Sequence, residues 1–302
     1  MTLNDRRMLL VHAHPDDETI ATGATMAKYV ADGAHVTLIT CTAGEEGEVL
    51  VPELSHLASG HEDGLGEHRV DELAEAMKIL GVTDHRFLGG AGHFRDSGMK
   101  WGEDGHATAM DQTRPDTFWH ADLTDAANLL VEIIRETTPH VLITYDEFGG
   151  YGHPDHVQAH RVSTYAVALA AAPSYRRDLG GAWDVPKVYW AAMSAARMAA
   201  GLRELRASGD STTFEGMDPD NLPPFAVRDS DLTSAIDAEE FVDRKMDALR
   251  AHATQVAVDG PFFALSNNVG NKVWATEFYR LVKGTPGQTG PSGFEEDLFA
   301  GL

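Results

Sequence analysis

The first two thirds of the chain alternate short apolar runs with amphipathic stretches. Five apolar runs predict buried strands, at residues 8–12, 35–40, 84–88, 140–145 and 187–191. The stretches between them predict helices at residues 18–32, 66–80 and 123–137, and a further helix that begins near Asp155. Strands that alternate with helices at these spacings form βαβ units. The pattern therefore predicts an α/β fold with a doubly wound, mostly parallel, Rossmann-like sheet.

The last third of the chain is less regular. A polar, proline-containing stretch at residues 207–231 predicts a surface excursion, and TPGQTGPS at residues 285–292 predicts a linker. Two further helices are predicted at residues 239–252 and 272–282, and the closing GFEEDLFAGL predicts a short terminal helix. We therefore expect two parts: an α/β core over residues 1–192, and a smaller C-terminal helical region over residues 193–302 that packs on the core.

Charge and cysteine content narrow the classes of partner. The 24 basic and 47 acidic residues leave a formal net charge of −23, which disfavours nucleic acid and anionic membranes as partners. Cys41 is the only cysteine, so an intrachain disulfide is not expected and a reducing compartment is favoured. The start, MTLNDRRMLLVHAHPDD, does not have the pattern of a signal peptide, and no apolar run is long enough to cross a bilayer. These features predict a soluble, cytoplasmic protein.

Two motifs rich in histidine and aspartate follow two of the predicted strands. HPDDE at residues 14–18 comes directly after the first strand, and HPDH at residues 153–156 comes shortly after the fourth. In the common doubly wound order these strands are neighbours where the chain reverses direction, and ligands bind in the crevice at their carboxyl ends. We therefore expect the two motifs to meet in one cleft.

The residue types in these motifs suit a catalytic metal. His14 and Asp17 lie three residues apart at a strand-to-helix turn, as do His153 and His156 in the second motif, so each pair can face one point. Imidazole nitrogen and carboxylate oxygen together suit Zn²⁺ or Fe²⁺. Three protein ligands would leave a position open for water or substrate, and Asp16 beside them would act as a general base.

Each motif also has a simpler interpretation. Asp16 or Asp17 could cap the following helix, because acidic residues favour helix N-termini. The prolines could serve only as turn formers. Nucleotide binding, a common function of such sheets, is disfavoured because the turn after the first strand contains no G-x-G-x-x-G. The occurrence of both motifs at the expected cleft favours the metal site over capping alone.

The motifs together resemble a known family. VHAHPDDE, TCTAGEEGEV, LGGAG-x-x-RDSGM, TYDEFGGYGHPDHV, AHATQV, ALSNN and DLFAGL, which span nearly the whole chain, are similar to motifs of the PIG-L/LmbE-like zinc deacetylases of N-acetylglucosaminyl conjugates. Within that family the chain most resembles the branch that acts on an N-acetylglucosaminyl-inositol in the mycothiol biosynthesis of actinobacteria. The resemblance implies a hydrolase with a small amino-sugar substrate and one Zn²⁺ per chain, with Fe²⁺ as a possible substitute.

The resemblance also implies roles for individual residues. The metal ligands would be His14, Asp17 and His156, and Asp16 would be the base. His153 would stabilise the oxyanion or protonate the leaving amine, oriented by Asp155. The remaining implied residues are Tyr151 at the substrate carbonyl and three residues that would bind the substrate's hydroxyl groups: Arg69, Asp96 and Glu48. No site residue is expected in the variable segments 98–118 and 172–183.

Two alternatives stay open beside the deacetylase. A sister activity of the same family, the mycothiol S-conjugate amidase, would share the metal site and differ in the loops that hold the substrate. The S-conjugate amidases resemble this chain but tend to carry proline at the position of Gly152, and the GEEGEV loop at residues 44–49 also fits the deacetylases better. A non-catalytic metal- or sugar-binding module is disfavoured because a binding site has no need of Asp16. The oligomeric state is left open.

Overall fold

The computed structural model describes residues 2–103, 105–111, 114–210, 217–258 and 275–302. Within these ranges the strands are β1 (Arg7–His12), β2 (His35–Thr40), β3 (Asp84–Phe87), β4 (Lys100–Trp101), β5 (Ala107–Thr108), β6 (Val141–Thr144), β7 (Lys187–Ser194), β8 (Ala226–Val227), β9 (Ser234–Asp237) and β10 (Thr276–Lys283). The α-helices are α1 (Asp17–Ala31), α2 (Leu65–Leu80), α3 (Leu123–Thr137), α4 (Gly149–Gly152), α5 (Pro154–Ala170), α6 (Ala195–Ala207) and α7 (Val242–Ala251). Short 3₁₀ turns lie at Leu3–Asp5, Pro52–Leu57, Phe118–His120, Arg177–Leu179, Asp229–Asp231 and Glu239–Phe241.

The main sheet has the strand order β3-β2-β1-β6-β7-β10-β9, with β8 paired to β7. The strands from β3 to β7 in this order are parallel, and β10 is antiparallel to both of its neighbours. From β1 the chain continues to β2 and β3 on one side and returns to β6 on the other side. The prediction of a doubly wound, mostly parallel sheet is confirmed, and the reversal of direction lies between β1 and β6.

Helices cover both faces of the sheet and explain why its central strands are apolar throughout. Along β1, Leu10 packs towards α1 and α2, whereas Leu9 and Val11 pack towards α3 and α5. A parallel strand buried on both faces reads as a continuous apolar run, which is how β1 appears in the sequence. Within the described ranges, none of the helices combines the length and apolar composition needed to cross a membrane.

The C-terminal part differs from the prediction. The predicted helix at residues 272–282 is wrong over its described portion, which forms β10 between β7 and β9; residues 272–274 and the ALSNN motif lie outside the described residues. Glu277 and Tyr279 point to one face and are buried, and this alternation is that of a strand. The sheet therefore includes strands from both sides of the predicted boundary at residue 192.

The predicted terminal helix is also wrong. The last ten residues form turns and a bridge at Glu295, whose backbone pairs with Ser234. The Glu295 carboxylate is buried and accepts hydrogen bonds from Lys187 Nζ at 2.5 Å and Tyr189 Oη at 2.7 Å. These long-range bonds compensate the burial of a charge, and they hold the segment in a non-helical path against β7.

Candidate metal and catalytic site

The two motifs meet at the carboxyl ends of β1 and β6. His14 lies in the turn between β1 and α1, and His153 is the N-cap residue of α5. The His14 ring centroid is 4.5 Å from that of His153 and 5.3 Å from that of His156. The structure thus brings together, at the reversal point of the sheet, residues separated by about 140 positions in the chain, as the strand order predicted.

Asp17 connects the two motifs. Its Oδ2 atom lies 3.2 Å from His14 Nδ1 and 3.2 Å from His156 Nε2. Burial alone would raise the pKa of Asp17, but the His156 and His14 imidazoles hold it well below its usual range. The carboxylate is therefore in the charged form that a cation requires.

His156 shows that this space suits a metal ion. Its Nδ1 lies 3.2 Å from the carbonyl oxygen of Gly149, so Nδ1 carries the proton and donates to that carbonyl. The buried Nε2 faces Asp17 Oδ2 at 3.2 Å and has no hydrogen-bond partner among the described residues. The protonated ring supplies the charge that lowers the pKa of Asp17, and the neutral ring presents a lone pair to the carboxylate. A lone pair and a carboxylate oxygen cannot bond to each other, whereas a cation would satisfy both. His14, Asp17 and His156 therefore fit a divalent ion with nitrogen and oxygen ligands.

Other combinations of ligand atoms also lie close together. Among the described residues, two groups of three have their ligand atoms within 4.8 Å of one another: His14, His153 and His156, and His14, Asp96 and Asp155. In the first group, His153 Nδ1 accepts a hydrogen bond of 3.1 Å from the backbone N–H of Asp155. Only Nε2 of His153 therefore faces the site, and in the neutral ring it carries the proton. Burial lowers the pKa of His153 to about 2, which keeps the ring neutral.

Asp16 lies at the edge of this cluster in an unusual backbone conformation. Its φ of 109° is in the region that favours glycine, and its backbone N–H donates to Glu18 Oε2 at 2.9 Å. Its carboxylate accepts from Arg69 Nη2 at 3.1 Å. Burial raises the pKa of Asp16 to about 6, against the opposing effect of Arg69. A carboxylate with a raised pKa beside potential metal ligands can both accept and return a proton near neutral pH.

Arg69 is placed differently from the expectation that it binds substrate hydroxyl groups. It is almost fully buried, and its guanidinium donates to Asp16, to the carbonyl of Gly44 at 2.7 Å and to the carbonyl of Pro15. These bonds fix the turn that contains Asp16. The contacts in the structure therefore indicate a positioning role, and substrate binding by Arg69 stays a prediction.

Asp155 contacts the cluster through both its backbone and its side chain. Its backbone N–H donates to His153, but its carboxylate binds elsewhere: it accepts from the backbone N–H of Ser97 at 2.8 Å and from the Ser97 hydroxyl, and it lies 3.2 Å from His14 Nε2. The contact that Asp155 makes with His153 is thus through its backbone, and its side chain, in the first turn of α5, points towards His14. The orientation of His153 by Asp155 stays a prediction. Asp96 joins the Asp155 carboxylate, 3.4 Å from His14 Nε2.

The other predicted residues lie further from the cluster. The Tyr151 ring is 5.0 Å from that of His156 and 6.3 Å from that of His153, and burial raises the pKa of its hydroxyl. Glu48 is exposed, and the contact the structure gives it is through its backbone carbonyl, which accepts from Gln255 Nε2 at 3.0 Å. Tyr151 thus borders the histidines, and the role of Glu48 stays a prediction.

Tyr145 is a site residue that sequence reasoning missed. Its ring stacks on His156 with 4.3 Å between centroids and 21° between planes. Its hydroxyl accepts from the backbone N–H of Ala13 at 2.9 Å, and burial and the neighbouring Asp17 carboxylate raise the pKa of that hydroxyl well above its usual range. In the sequence Tyr145 is simply the last residue of an apolar run, and only the adjacency of β1 and β6 places it between two potential ligands.

We expect Tyr145→Phe to weaken the affinity for a divalent ion by about 10- to 100-fold, because partners that orient ligands contribute this much to metal affinity. The phenylalanine ring preserves the stacking on His156 and removes the hydroxyl, which lies beside Asp17 and accepts from the backbone N–H of Ala13. Competition with a chromophoric chelator measures the affinity. Tyr175→Phe is a matched control, since the Tyr175 hydroxyl donates to Asn128 on α3. Equal affinity in wild type and Tyr145→Phe would contradict this role.

The fold and the histidine–aspartate cluster agree with the family that comparison identifies. Residues 9–167, just over half of the chain, match the family model described as PIG-L: GlcNAc-PI de-N-acetylase. The chain belongs to this family, and the resemblance inferred from its motifs is confirmed. Deacetylases of this family depend on a metal, which agrees with the cluster of histidine and aspartate ligand atoms around His14.

Particular relatives are similar over the full length. Two proteins named 1D-myo-inositol 2-acetamido-2-deoxy-alpha-D-glucopyranoside deacetylase are each 66% identical to this chain: one from a Nocardioides species over 299 residues and one from Kribbella flavida over 301 residues. Each match covers 99% of both sequences. Among solved structures, the N,N'-diacetylchitobiose deacetylase of Pyrococcus horikoshii has the same fold, with a TM-score of 0.60, 18% identity and coverage of 92% of this chain and 84% of that one.

Proposed function

We propose that this protein is a metal-dependent deacetylase that hydrolyses the N-acetyl group of 1D-myo-inositol 2-acetamido-2-deoxy-α-D-glucopyranoside. The products are acetate and the free amine, and the reaction is the deacetylation step of mycothiol biosynthesis. The observation that carries the proposal is the meeting of His14, Asp17 and His156 beside the buried Asp16. The full-length relatives named for this activity support the choice of substrate.

We propose that His14, Asp17 and His156 hold one Zn²⁺ per chain, with Fe²⁺ as a possible substitute. When bound, such an ion polarises a carbonyl oxygen and makes a water molecule more acidic. The ligands are held by their own partners: Tyr145 contacts both Asp17 and His156, and the Asp155 carboxylate contacts His14. Partners of this kind fix the ring orientation of a histidine ligand.

In the proposed reaction, Asp16 takes a proton from the attacking water while the water oxygen bonds to the carbonyl carbon of the acetyl group. Two hydrogen bonds hold Asp16 in place for this transfer: its carboxylate accepts from Arg69, and its backbone N–H donates to Glu18. His153 donates from Nε2–H to the carbonyl oxygen as negative charge develops there, because its Nδ1 is occupied by the N–H of Asp155. When the carbon–nitrogen bond breaks, Asp16 delivers the proton to the departing amine.

Acetate release from the N-acetylglucosaminyl-inositol, measured with purified protein loaded with Zn²⁺, tests the proposal. We expect turnover that is lost in Asp16→Asn, because asparagine cannot accept the proton. Binding of the sugar without any release of acetate would instead indicate a non-catalytic binding module. Absence of both binding and release would contradict the choice of substrate.

The conformation of Gly152 favours the deacetylase over the sister amidase. Its φ of 103° is inaccessible to proline, and a Cβ atom there would lie 2.5 Å from the carbonyl oxygen of Ala107. Proline at this position, which the amidases tend to carry, would therefore change both the Tyr151 loop and the segment packed against it. The loop conformation of this chain therefore requires glycine at position 152.

We predict that kcat/KM for the N-acetylglucosaminyl-inositol exceeds that for a mycothiol S-conjugate by at least about tenfold, or roughly 1.4 kcal/mol. The reason is that Gly152 permits a close-packed loop, which suits a small acetyl group better than a bulky acyl portion. Both substrates are assayed side by side on one preparation. Weak activity on the S-conjugate agrees with the prediction since the catalytic residues are shared, and a reversed preference would assign the chain to the amidase.

A further inference from the structure

An exposed tryptophan lies beside the site on a small hairpin that the sequence did not predict. Strands β4 and β5 pair antiparallel, with Trp101 opposite Ala107. The Trp101 ring lies 5.9 Å from the Tyr151 ring, with 34° between their planes, and 62% of the residue is exposed. The hairpin falls within residues 98–118, where no site residue was expected. A large aromatic face open to solvent at the edge of a polar site is available for a ligand.

The approach of the hairpin to the site depends on Gly152. The carbonyl of Ala107 lies where a side chain at position 152 would begin, and Ala107 itself is buried. The absence of a side chain at Gly152 lets the hairpin lie directly against the turn that contains Tyr151. The contact between the backbones of Gly152 and Ala107 therefore fixes the position of the hairpin, and with it the position of Trp101 beside Tyr151.

We propose that Trp101 stacks on the second ring of the substrate, the one not attached to the acetamide. This proposal rests on the proposed function and deepens it by naming a binding residue for the distal part of the substrate. A polyhydroxylated six-membered ring presents a face of C–H groups, which buries apolar surface against an indole while its hydroxyl groups stay in water at the rim.

The order of the aromatic rings assigns Trp101 to the distal ring. Tyr151 borders His156, with 5.0 Å between ring centroids, and Trp101 lies against Tyr151. The acetamide must reach the histidine cluster, so the ring attached to it lies near Tyr151. Trp101 lies on the side of Tyr151 away from the histidines, with 5.9 Å between the two ring centroids. The second ring of a two-ring substrate would lie at about this distance from the first.

The test compares Trp101→Ala with wild type on two substrates, N-acetylglucosaminyl-inositol and N-acetylglucosamine alone. On the two-ring substrate we expect KM to rise about tenfold with kcat within about twofold, as when binding shared by ground state and transition state is removed. On the monosaccharide we expect KM to change by less than about twofold. Trp101→Phe keeps an aromatic face and should restore most of the lost affinity.

Two controls exclude indirect effects. Metal content should be the same in wild type and Trp101→Ala, because the ring contact of Trp101 is with Tyr151, which is not a proposed ligand. Phe148→Ala removes an aromatic side chain of similar exposure, 65%, and should leave both KM values unchanged. Equal losses on both substrates, no loss on either, or the same loss in Phe148→Ala would overturn the assignment.

A binding measurement separates this proposal from the proposed function. Addition of the two-ring compound should quench more tryptophan fluorescence in wild type than in Trp101→Phe, and N-acetylglucosamine should show no such difference. This readout does not depend on turnover. Quenching by Trp101 without acetate release would contradict the deacetylase activity and support the stacking of Trp101 on the substrate. Acetate release without this difference in quenching would support the deacetylase activity and contradict the stacking.

Discussion

Asp16→Asn should lower kcat by about 10²- to 10⁴-fold and leave the metal content unchanged, because the substitution removes a general base and no ligand. Asparagine has nearly the same shape and can still accept the hydrogen bond from Arg69, so the turn should keep its conformation. Steady-state kinetics on the N-acetylglucosaminyl-inositol gives kcat, and atomic absorption on the same preparation gives the metal content.

The neighbouring Asp17 supplies the matched comparison for Asp16. Asp17→Asn should lose metal and activity together, because Asp17 lies 3.2 Å from both His14 and His156 and is a proposed ligand. The adjacent carboxylates are thus distinguished by metal content and not by rate alone. If Asp16→Asn lost its metal and Asp17→Asn kept it, the two roles would have to be exchanged.

Removal of the metal should abolish turnover, and one equivalent of Zn²⁺ or Fe²⁺ per chain should restore it. The expectation follows from the buried His156 Nε2, which has no hydrogen-bond partner among the described residues and faces the Asp17 carboxylate. Dialysis against a chelator followed by titration with each ion measures the loss and the stoichiometry of recovery.

Mg²⁺ provides a control for the chelation experiment. Because two of the three proposed ligands are imidazoles, a hard cation that prefers oxygen should restore little activity at the same concentration. Circular dichroism before and after dialysis shows whether the chain stays folded. Full activity in a sample shown to be free of metal would overturn the proposed role of His14, Asp17 and His156.

The parts of the fold that could be predicted from the sequence are those with a strong local pattern. The buried strands β1, β2, β6 and β7 are continuous apolar runs, and α1 and α3 between them have clear amphipathic periodicity. Their alternation fixes a doubly wound order, and that order alone brings His14 to His156. The core of the site was therefore predictable without knowledge of any side-chain contact.

The remainder depended on long-range contacts that no local pattern contains. Residues 276–283 form a strand because β7 and β9 flank them, and Glu277 is buried there because Lys245 on α7 pairs with it at 2.7 Å. The sequence could not place Tyr145 against Asp17, nor direct the carboxylate of Asp155 towards His14. Each depends on the packing of elements from different parts of the chain.

At Asp16 the backbone conformation lowers the stability of the fold, whereas the side chain is needed for the proposed activity. A non-glycine residue at a φ of 109° stores strain, which the bonds from Arg69 and to Glu18 offset. Glycine would adopt this conformation freely, and among replacements it is the one that would relieve the turn. It would also delete the proposed base. Selection for heat resistance would therefore favour Asp16→Gly, and selection for turnover would reject it. The two demands conflict because one concerns the backbone of this residue and the other its side chain.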